Sequence, residues 1–598
     1  MTRTSPALSV ALAAATVALF GAPLLYSTAV YHPFSTPKIA AVGLAAGLTV
    51  LSAALLPGSG VNLPRAPLVA VPVALALAGL SYAFSPLPGI SLWGRPNQEV
   101  GLLVVAYSLI LYVLGMLLTR PVGSILDPVR VATWASLPVL FMTGWALAGL
   151  PLSDNMTSST GGRPSATFGN PVHLAAYLAA GAVLAAGMGL HGERLRTRVP
   201  ALLLAAACAV GVVLAASRAA LAGLLVGLVF LAVPGGRRLP RKWLVPLPLL
   251  LILGLLAGAA INPGESILYK VRNITDPRLY GARWHAWAIA LDALPQRPLF
   301  GVGPANFERI FYRALTPELI HDYFAFERFT DAHSWPLELA TTYGLPFALV
   351  FAWLILRPLV RLRALDPSRR AAYAGALALA VSYLFNPLAI STLPLLALYA
   401  GLAGGSPTES RNTPGSRQTL RSLSLAGGTV VALALLFPAL FFLRADFELR
   451  QGSLHDDLGR MRSAADGLKP GLPSFYYPAG RKLSYEVSKD PSPQKAALLN
   501  AFYAVPRSLD PEEPDTELQW AVGLLAAKQY EQAIAHIERA LQIAPGSPYP
   551  LSLLAITYLE MGQPRKALPI LETLRRDYPG EEGVRKLLDQ ARKEAGAG

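Results

Sequence analysis

The chain is poor in cysteine and in charged residues. A single cysteine, Cys208, occurs among 598 residues, which excludes a disulfide framework and any zinc or iron–sulfur site built from cysteines. Only 15% of the residues are charged and 53% are apolar, whereas a soluble domain has about 25% charged residues. This balance excludes a disordered chain and an ordinary soluble enzyme.

The net charge of +15 is unevenly distributed along the chain. Residues 1–443 contain 31 Lys and Arg against 15 Asp and Glu, and residues 444–598 contain 20 against 21. The basic excess therefore belongs to the apolar part, where arginines that flank membrane spans account for it without a nucleic acid partner. We predict a membrane domain followed by a near-neutral soluble tail.

Apolar runs of about the length needed to cross a membrane as helices fill most of residues 1–443. The runs lie near 7–30, 39–56, 67–85, 101–118, 130–150, 171–190, 199–215, 219–234, 243–261, 334–356, 371–386, 388–404 and 424–443. The first run also fits a signal peptide, but its length and the many runs that follow favour a span. We predict an all-α, polytopic membrane bundle of about 12–13 spans, the run at 388–404 being the weakest.

Positive residues predict the orientation of these spans. With Met1 in the cytoplasm, the inner segments contain 19 Lys and Arg, and the short outer loops contain only Lys38, Arg95, Arg163 and Arg218. Because Lys and Arg accumulate on the cytoplasmic side, we expect a multi-pass protein of the cytoplasmic (inner) membrane. N-terminal spans would fill 1–261, a large outer (periplasmic) loop with amphipathic helices 262–333, and C-terminal spans 334–443, with the tail on the outer side.

The tail repeats with a period of 34 residues. Ala521 aligns with Ala555, Ala533 with Ala567, and Pro545 with Pro579, the pattern of small residues and helix-ending prolines typical of tetratricopeptide repeats. Since two repeats are too few for a stable solenoid, we predict repeats over 516–598 and degenerate helical repeats over 444–515. Such a tail is either a groove that binds a protein partner or a cap that stabilises the membrane domain.

Three places break the apolar pattern with residues that membranes disfavour. Ser217 and Arg218 lie in a very short outer turn, where an arginine either extends to the interface or has a function. Arg283 lies in the outer loop, in a segment rich in Trp that predicts an amphipathic helix ending at Arg297-Pro298. That helix is either an ordinary interfacial one or part of a site.

The third place is the entrance to the span after the loop, where Asp331 and His333 lie. A neutral histidine at a membrane mouth is a candidate general base, and the carboxylate two residues before it could orient the ring. The alternative is a structural histidine. No second histidine or carboxylate lies at metal-ligand spacing, so we expect no metal there.

Together, two guanidiniums and an imidazole at one membrane face suit a substrate with phosphates and an attacking hydroxyl. Arginine binds phosphate oxygens through paired donors and keeps its charge. Fixed positive charge stabilises a departing diphosphate, and the base removes the hydroxyl proton. The residues predicted for these roles are Arg218, Arg283 and His333, with neither a cofactor nor a metal.

Five segments in this order resemble the O-antigen ligase and O-antigen polymerase family of membrane glycosyltransferases. They are SLWGRPNQEVGLL (91–103), RPSATFGNPVHLAAYL (163–178), SRAALAGLL (217–225), RWHAWAIALDALPQRPLFGVGPANF (283–307) and DAHSWPLELATTYGLP (331–346). Arg218, Arg283 and His333 match the arginines and the histidine of the family motifs. The resemblance implies an undecaprenyl-diphosphate-type donor, an inverting, metal-independent transfer and a GT-C-like fold. The chain departs from the pattern at Ser334, where the family usually has Asn, and at 342–344, which lack the family's E-x-G carboxylate.

The leading hypothesis is a glycosyltransferase that moves a lipid-linked glycan to a hydroxyl acceptor on the outer face. Further candidates for binding the diphosphate or the sugar are Arg163, Asn170, Arg95, Ser217 and Asp331. The acceptor stays open among a lipid (lipid A core), another surface polymer, a growing glycan (a polymerase) and a protein (an O-oligosaccharyltransferase). Hypotheses of other classes are a transporter or flippase of the same lipid-linked glycan and a non-catalytic scaffold that displays the tail.

Overall fold

The computed structural model describes residues 6–56, 61–95, 100–119, 127–152, 159–160, 162–191, 195–232, 256, 259–260, 263–264, 266–273, 281–321, 329–405, 408–409 and 417–596. Helices make up nearly all of the regular structure in these ranges. Four two-residue strands form two small antiparallel pairs: β1 (Val61–Asn62) with β4 (Thr408–Glu409), and β2 (Ser159–Thr160) with β3 (Arg163–Pro164). The predicted all-α class is confirmed.

Most of the membrane part consists of apolar helices that precede the large loop. They are α1 (Pro6–Leu24), α2 (Thr36–Ala54), α3 (Arg65–Ala83), α4 (Pro88–Trp93), α5 (Leu102–Leu117), α6 (Pro128–Trp134), α7 (Ser136–Leu147), α8 (Pro171–His191), α9 (Leu195–Leu214) and α10 (Arg218–Ala232). The loop contains α11 (Ile267–Arg272), α12 (Gly281–Ala293), α13 (Phe307–Ala314) and α14 (Pro317–Leu319). After it come α15 (Trp335–Tyr343), α16 (Leu345–Leu356), α17 (Pro367–Ser382) and α18 (Leu393–Gly404).

The tail begins inside a long helix. This is α19 (Arg417–Leu454), which continues through the boundary predicted at 443. The remaining helices are α20 (Leu458–Gly467), α21 (Pro473–Lys489), α22 (Pro493–Leu509), α23 (Pro514–Ala526), α24 (Tyr530–Ile543), α25 (Pro548–Glu560), α26 (Pro564–Asp577) and α27 (Glu582–Gly596). Short 3₁₀ helices cover Ala166–Phe168, Leu294–Gln296 and Arg357–Ala364. The alanines aligned by the repeat, such as Ala521 and Ala555, are buried between paired helices.

Six of the described helices are long and apolar enough to cross a membrane: α1, α2, α3, α8, α9 and α19. Shorter apolar helices correspond to the predicted runs near 101–118, 219–234 and 388–404. Two runs are broken: 130–150 forms α6 and α7, and 334–356 is interrupted at Gly344. The run at 243–261 lies almost wholly outside the described residues. A multi-pass helical bundle is confirmed, with several elements shorter than a full span.

Small residues let the central helices approach closely. A Cβ on Gly223 of α10 would overlap the Ala378 carbonyl of α17, and one on Gly227 would approach the Ala374 carbonyl at 3.0 Å. Close backbone approach through small residues is typical of helix packing in membranes. The contacts pair the start of α10 with the end of α17, so the two helices run antiparallel and Arg218 lies near Ser382.

The bundle has two distinct ends. One end, here called the arginine end, contains Arg357 and Arg369. Arg369 donates to the carbonyls of Gly405 and Thr119, and Arg357 donates to the Gly404 carbonyl. The opposite end, here called the loop end, contains Arg95, the described part of the large loop and the tail. Which end faces the cytoplasm stays a prediction from the charges.

Buried and partly exposed ion pairs attach the tail to the loop end. Arg95 contacts Glu308 of α13 at 2.5 Å and Glu513 of the tail at 3.0 Å. Arg309 and Arg313 both pair with Glu512. Removing one partner of a buried pair is costly because the other charge is left uncompensated. The tail, the large loop and the segment after α4 are therefore held together as one unit, here called the tail junction.

A second contact attaches the tail to the membrane helices. His32, which lies before α2, is 2.7 Å from Asp446 of α19, and its backbone N–H donates to the same carboxylate. Trp93 of α4 donates its indole N–H to Pro470, beyond α20. The tail helices thus pack directly on the membrane part.

Asp510 makes the tail junction sensitive to pH. Burial and the neighbouring charges of Glu513 and Glu308 raise the pKa of Asp510 to about 6, with Arg95 opposing the shift. A carboxyl with a raised pKa destabilises the folded state when ionised, and this penalty is relieved as the pH falls through about 6. Asp510→Asn keeps an oxygen for the Glu512 amide and should stabilise the protein at pH 7.5 by on the order of 1 kcal/mol.

The measurement is the midpoint of thermal unfolding in detergent at pH 7.5 and at pH 5. The gain from Asp510→Asn should be clearly smaller at pH 5, where the wild-type carboxyl is largely protonated. An equal gain at both pH values, or a loss at pH 7.5, would contradict this account of the junction.

Candidate functional site

The turn between α9 and α10 is held by positive side chains. Only Ala215, Ala216 and Ser217 separate the two helices, and Ala216 has a left-handed backbone (φ 52°). Arg163 donates to the carbonyls of Ala215 and Ala216, and the Lys270 ammonium lies 3.5 Å from the latter. Cations are favourable beside the carbonyls that end a helix. Arg163 therefore fixes the turn from which Arg218 begins α10.

Arg218 is half-buried and reaches the large loop. One of its Nη atoms donates to the Lys270 carbonyl of α11 at 3.3 Å, and Ile267 of the same helix packs against Ala216 and Val213. Ser217 is buried, and its hydroxyl accepts the Ala220 amide at 3.3 Å. The serine thus caps α10 while the arginine lies between the membrane turn and the loop.

Asp331 orients His333 at the entrance to α15. Its Oδ1 accepts the His333 backbone amide at 2.7 Å and lies 2.9 Å from the ring Nδ1. The ring stacks on Phe329 with centroids 4.2 Å apart. A proton held at Nδ1 by the carboxylate leaves Nε2 as the basic nitrogen. This is the arrangement expected of an oriented general base.

The contact with His333 also lowers the pKa of the Asp331 carboxyl. Burial works to raise the pKa of Asp331, but the charge of His333 and the hydrogen bonds from it prevail, and the net shift is downward. Asp331 therefore stays ionised beside the imidazole. An ionised carboxylate there stabilises the imidazolium that forms when the base takes a proton.

Arg283 lies on the first turns of α12, the predicted amphipathic helix. A helix is present there, but it ends at Ala293, before the predicted end at Arg297-Pro298, and the 3₁₀ turn Leu294–Gln296 follows it. Its inner face contributes Ala286 to an apolar cluster that also contains Phe329 and Ala332, the neighbours of His333. Trp287 contacts Phe385, beyond α17, with ring centroids 5.9 Å apart. The helix that carries Arg283 is therefore packed beside the His333 segment.

The three predicted side chains belong to elements that meet at the end of α17. The Tyr383 carbonyl accepts the Trp335 amide at 2.9 Å, which places the His333 segment there. Phe385 contacts α12, and Ser382 lies beside Gly223 of α10. The helix ends that carry Arg218 and Arg283, and the segment of His333 before α15, thus lie near the end of α17.

A glycine-rich turn holds the large loop against α15. The amides of Val302 and Gly303 donate to the carbonyls of Thr341 and Thr342, and Leu345 donates to Pro298. Gly301, Gly303 and Gly344 all have positive φ, and a Cβ on Gly301 or Gly344 would overlap backbone atoms. These motif glycines therefore serve close backbone packing.

Polar residues of two motifs bond to each other behind this turn. The buried Asn306 amide donates to Ser85 at 2.8 Å and to Ser91 at 3.2 Å, and Ser91 donates to the Pro304 carbonyl. The motif segments at 91–103 and 283–307 are thereby joined. Their Ser and Asn residues belong to the framework of the site.

Residues 201–352 match the O-antigen ligase family, and residues 524–591 match the tetratricopeptide repeat. The chain carries an O-antigen ligase domain and C-terminal tetratricopeptide repeats. The resemblance found in the sequence is thus confirmed, and the domain supports a membrane ligase- or polymerase-type function. No curated protein matches the chain.

The O-antigen ligase domain contains Ser217, Arg218, Arg283, Asp331 and His333. The other candidates precede the matched residues. Asn170 caps α8 by accepting the Val172 amide at 2.9 Å, and Arg163 holds the turn before Arg218. Arg95 directs its guanidinium to carboxylates of the tail junction, so its contact with substrate stays a prediction without structural support.

Three residues that the sequence reading missed lie close to the O-antigen ligase site. His173 of α8 is 8% exposed and lies 3.4 Å from the Tyr383 hydroxyl. Lys38, assigned to an outer loop, is instead buried within α2 and donates to the Thr167 carbonyl at 2.5 Å. Glu338 of α15 accepts the Ala332 amide. Charged or titratable residues inside apolar runs are the signal that could have identified all three.

Gly344 should be among the least replaceable glycines of this site. Gly344→Ala combines a disfavoured φ of 90° with a Cβ that overlaps the Leu299 carbonyl. We expect a loss of stability above about 2 kcal/mol, measured as a lower thermal midpoint and a lower yield of monodisperse protein.

Gly149→Ala is the matched control for this substitution. Gly149 also has positive φ, at 72°, but no atom lies within 4 Å of the position that an alanine methyl group would take. Gly149→Ala should lose only about 1 kcal/mol of stability, because only its backbone conformation is unfavourable. Equal losses for the two variants would show that the contact between the large loop and α15 is not tight.

Proposed function

We propose that this protein transfers a glycan from an undecaprenyl-diphosphate-type lipid carrier to a hydroxyl acceptor on the periplasmic face of the cytoplasmic membrane. The observation that carries the proposal is that the segments bearing Arg218, Arg283 and the Asp331–His333 pair all pack near the end of α17. The O-antigen ligase domain supports the reaction class.

The two arginines would bind the diphosphate of the donor. Guanidinium groups present paired donors to phosphate oxygens and remain charged at every physiological pH. Arg218 also begins a helix of 15 residues, whose N-terminus favours an anion. Negative charge grows on the departing diphosphate, and cations fixed around it lower the barrier.

His333 would act as the general base. Its Nε2 takes the proton from the acceptor hydroxyl as the oxygen attacks the anomeric carbon of the sugar. The bond between that carbon and the diphosphate oxygen breaks, and the lipid diphosphate leaves with the electron pair. A single displacement of this kind inverts the anomeric centre. The arginines supply the positive charge, so the reaction needs no metal.

Surface features support a site at the membrane interface. Trp284 and Leu291 of α12 are 63% and 54% exposed, and Phe84 at the end of α3 is exposed and stacks on Phe300. Exposed aromatic residues at helix ends are typical of the bilayer surface. A site beside them would lie at the depth of lipid phosphates, and the arginine end would face the cytoplasm.

A transporter of the same lipid-linked glycan is the alternative from another class. Transporters place their substrate sites near the bilayer midplane, at broken helices. The candidate residues here lie at helix ends on one side of the bundle, which favours transfer. A polymerase and a protein O-oligosaccharyltransferase would use the same donor chemistry and differ in the acceptor.

Removing the imidazole should abolish most of the transfer. We expect His333→Ala to lower kcat by at least about 100-fold, the usual contribution of a general base. The measurement is the release of lipid diphosphate by purified protein in proteoliposomes, supplied with lipid-linked glycan and a hydroxyl acceptor. His455→Ala, at an exposed position in the tail, is the matched control and should retain full activity.

Two results would contradict the proposal. One is undiminished release of lipid diphosphate by His333→Ala. The other is movement of the lipid-linked glycan across the bilayer by the wild-type protein without any release, which would favour the transporter.

A further inference from the structure

Two consecutive backbone amides before α15 are each held by a buried carboxylate. Glu338 accepts the Ala332 amide through Oε2 at 2.8 Å, and Asp331 accepts the His333 amide at 2.7 Å. Glu338 and Asp331 are only 8% and 7% exposed. The segment that carries the candidate base is thus fixed from both sides by carboxylates.

The backbone at His333 needs such support because its conformation is unfavourable. Its φ is 49°, in the left-handed region, which costs a residue with a Cβ roughly 1–2 kcal/mol. This conformation directs the imidazole onto Phe329 and toward Asp331. A strained conformation of this kind persists only where contacts with the surrounding residues hold it in place.

Capping of α15 alone does not account for Glu338. A capping carboxylate normally accepts the amide of the cap residue itself, which here is Ser334. Glu338 instead reaches two residues further back, to the amide that precedes His333. Burying a carboxylate is costly, and a fully apolar residue would suit this position in a membrane helix better.

A small cavity joins the two carboxylates. It has a volume of about 20 Å³ and is lined by Arg95, Thr330, Asp331 and Glu338, among others. Arg95 therefore borders the same space as both acidic side chains.

We propose that Glu338 is a positioning residue for His333: by accepting the Ala332 amide, it holds the backbone in the left-handed turn that orients the imidazole. This inference rests on the proposed function, in which His333 is the base. Glu338 itself would touch neither the donor nor the acceptor.

Two variants test whether the acceptor oxygen matters. Glu338→Gln keeps an oxygen for the Ala332 amide, whereas Glu338→Ala removes it. We expect Glu338→Ala to lower kcat by at least about 10-fold, with KM for the donor changed by less than about 2-fold, because misorientation of a base affects the chemical step. Glu338→Gln should remain within about 3-fold of wild type.

Thr342→Val is the control for a change elsewhere in α15. The Thr342 hydroxyl is buried and donates only within the helix, to the Glu338 carbonyl. This variant should retain kcat, and its thermal midpoint shows what a local perturbation of α15 costs.

A second readout does not depend on glycan transfer. Diethyl pyrocarbonate modifies accessible imidazoles, and peptide mass spectrometry gives its rate at His333. The rate should rise several-fold in Glu338→Ala, as the ring leaves its stack on Phe329, and stay at the wild-type value in Glu338→Gln and Thr342→Val. This result would support the positioning role even if wild-type protein transferred no glycan, an outcome that would refute the proposed function alone.

The inference would be overturned by either of two results. Equal losses in Glu338→Ala and Glu338→Gln would show that an oxygen acceptor for the Ala332 amide is not what matters. An unchanged kcat and an unchanged modification rate in Glu338→Ala would show that the turn needs no support from this residue.

Discussion

The end of α17 is the point on which the arrangement of the site depends. Ser382 packs beside the glycines of α10, and just beyond the helix Tyr383 accepts the first amide of α15 and Phe385 contacts a ring of α12. Each of these helices carries one of the three predicted side chains at or near the same end. Helix packing in the bundle therefore brings together the segments that carry the two arginines and the histidine. Glycines are frequent in the motif segments because the placement of the candidate residues depends on close packing of these helices.

The loop end concentrates buried charge, and the tail takes part in balancing it. Arg95 lies among carboxylates of the large loop and the tail, and it also lines the small cavity beside Asp331 and Glu338. Arg95 thus connects the tail with the residues that line this cavity. This coupling favours the stabilising role over the alternative of an independent docking groove, although the outer faces of the repeats stay accessible to a partner. The continuous helix α19 also connects the membrane part to the tail covalently.

Much of the fold and several candidate residues could be predicted from the sequence, because the strongest signals in the sequence are local. Apolar length identified the membrane helices, a 34-residue period identified the repeats, and polar residues at the ends of apolar runs identified Arg218 and His333. What could not be predicted depends on distant contacts. Arg95 looked like a substrate-binding arginine because its carboxylate partners lie more than 200 residues away. Lys38 looked like a loop residue because its acceptor, the Thr167 carbonyl, belongs to another segment. Glu338 resembled an ordinary helix residue, since its contact with Ala332 depends on the turn at His333.

The central claim is that the three side chains surround one diphosphate. The most direct measurement is an electron cryo-microscopy structure of the protein in lipid nanodiscs with bound undecaprenyl diphosphate. We predict diphosphate density at the loop end, within hydrogen-bond distance of Arg218 and Arg283, with His333 facing the side on which the sugar would lie. Density at the arginine end, or density at the loop end with the two guanidiniums directed to separate pockets, would contradict the account.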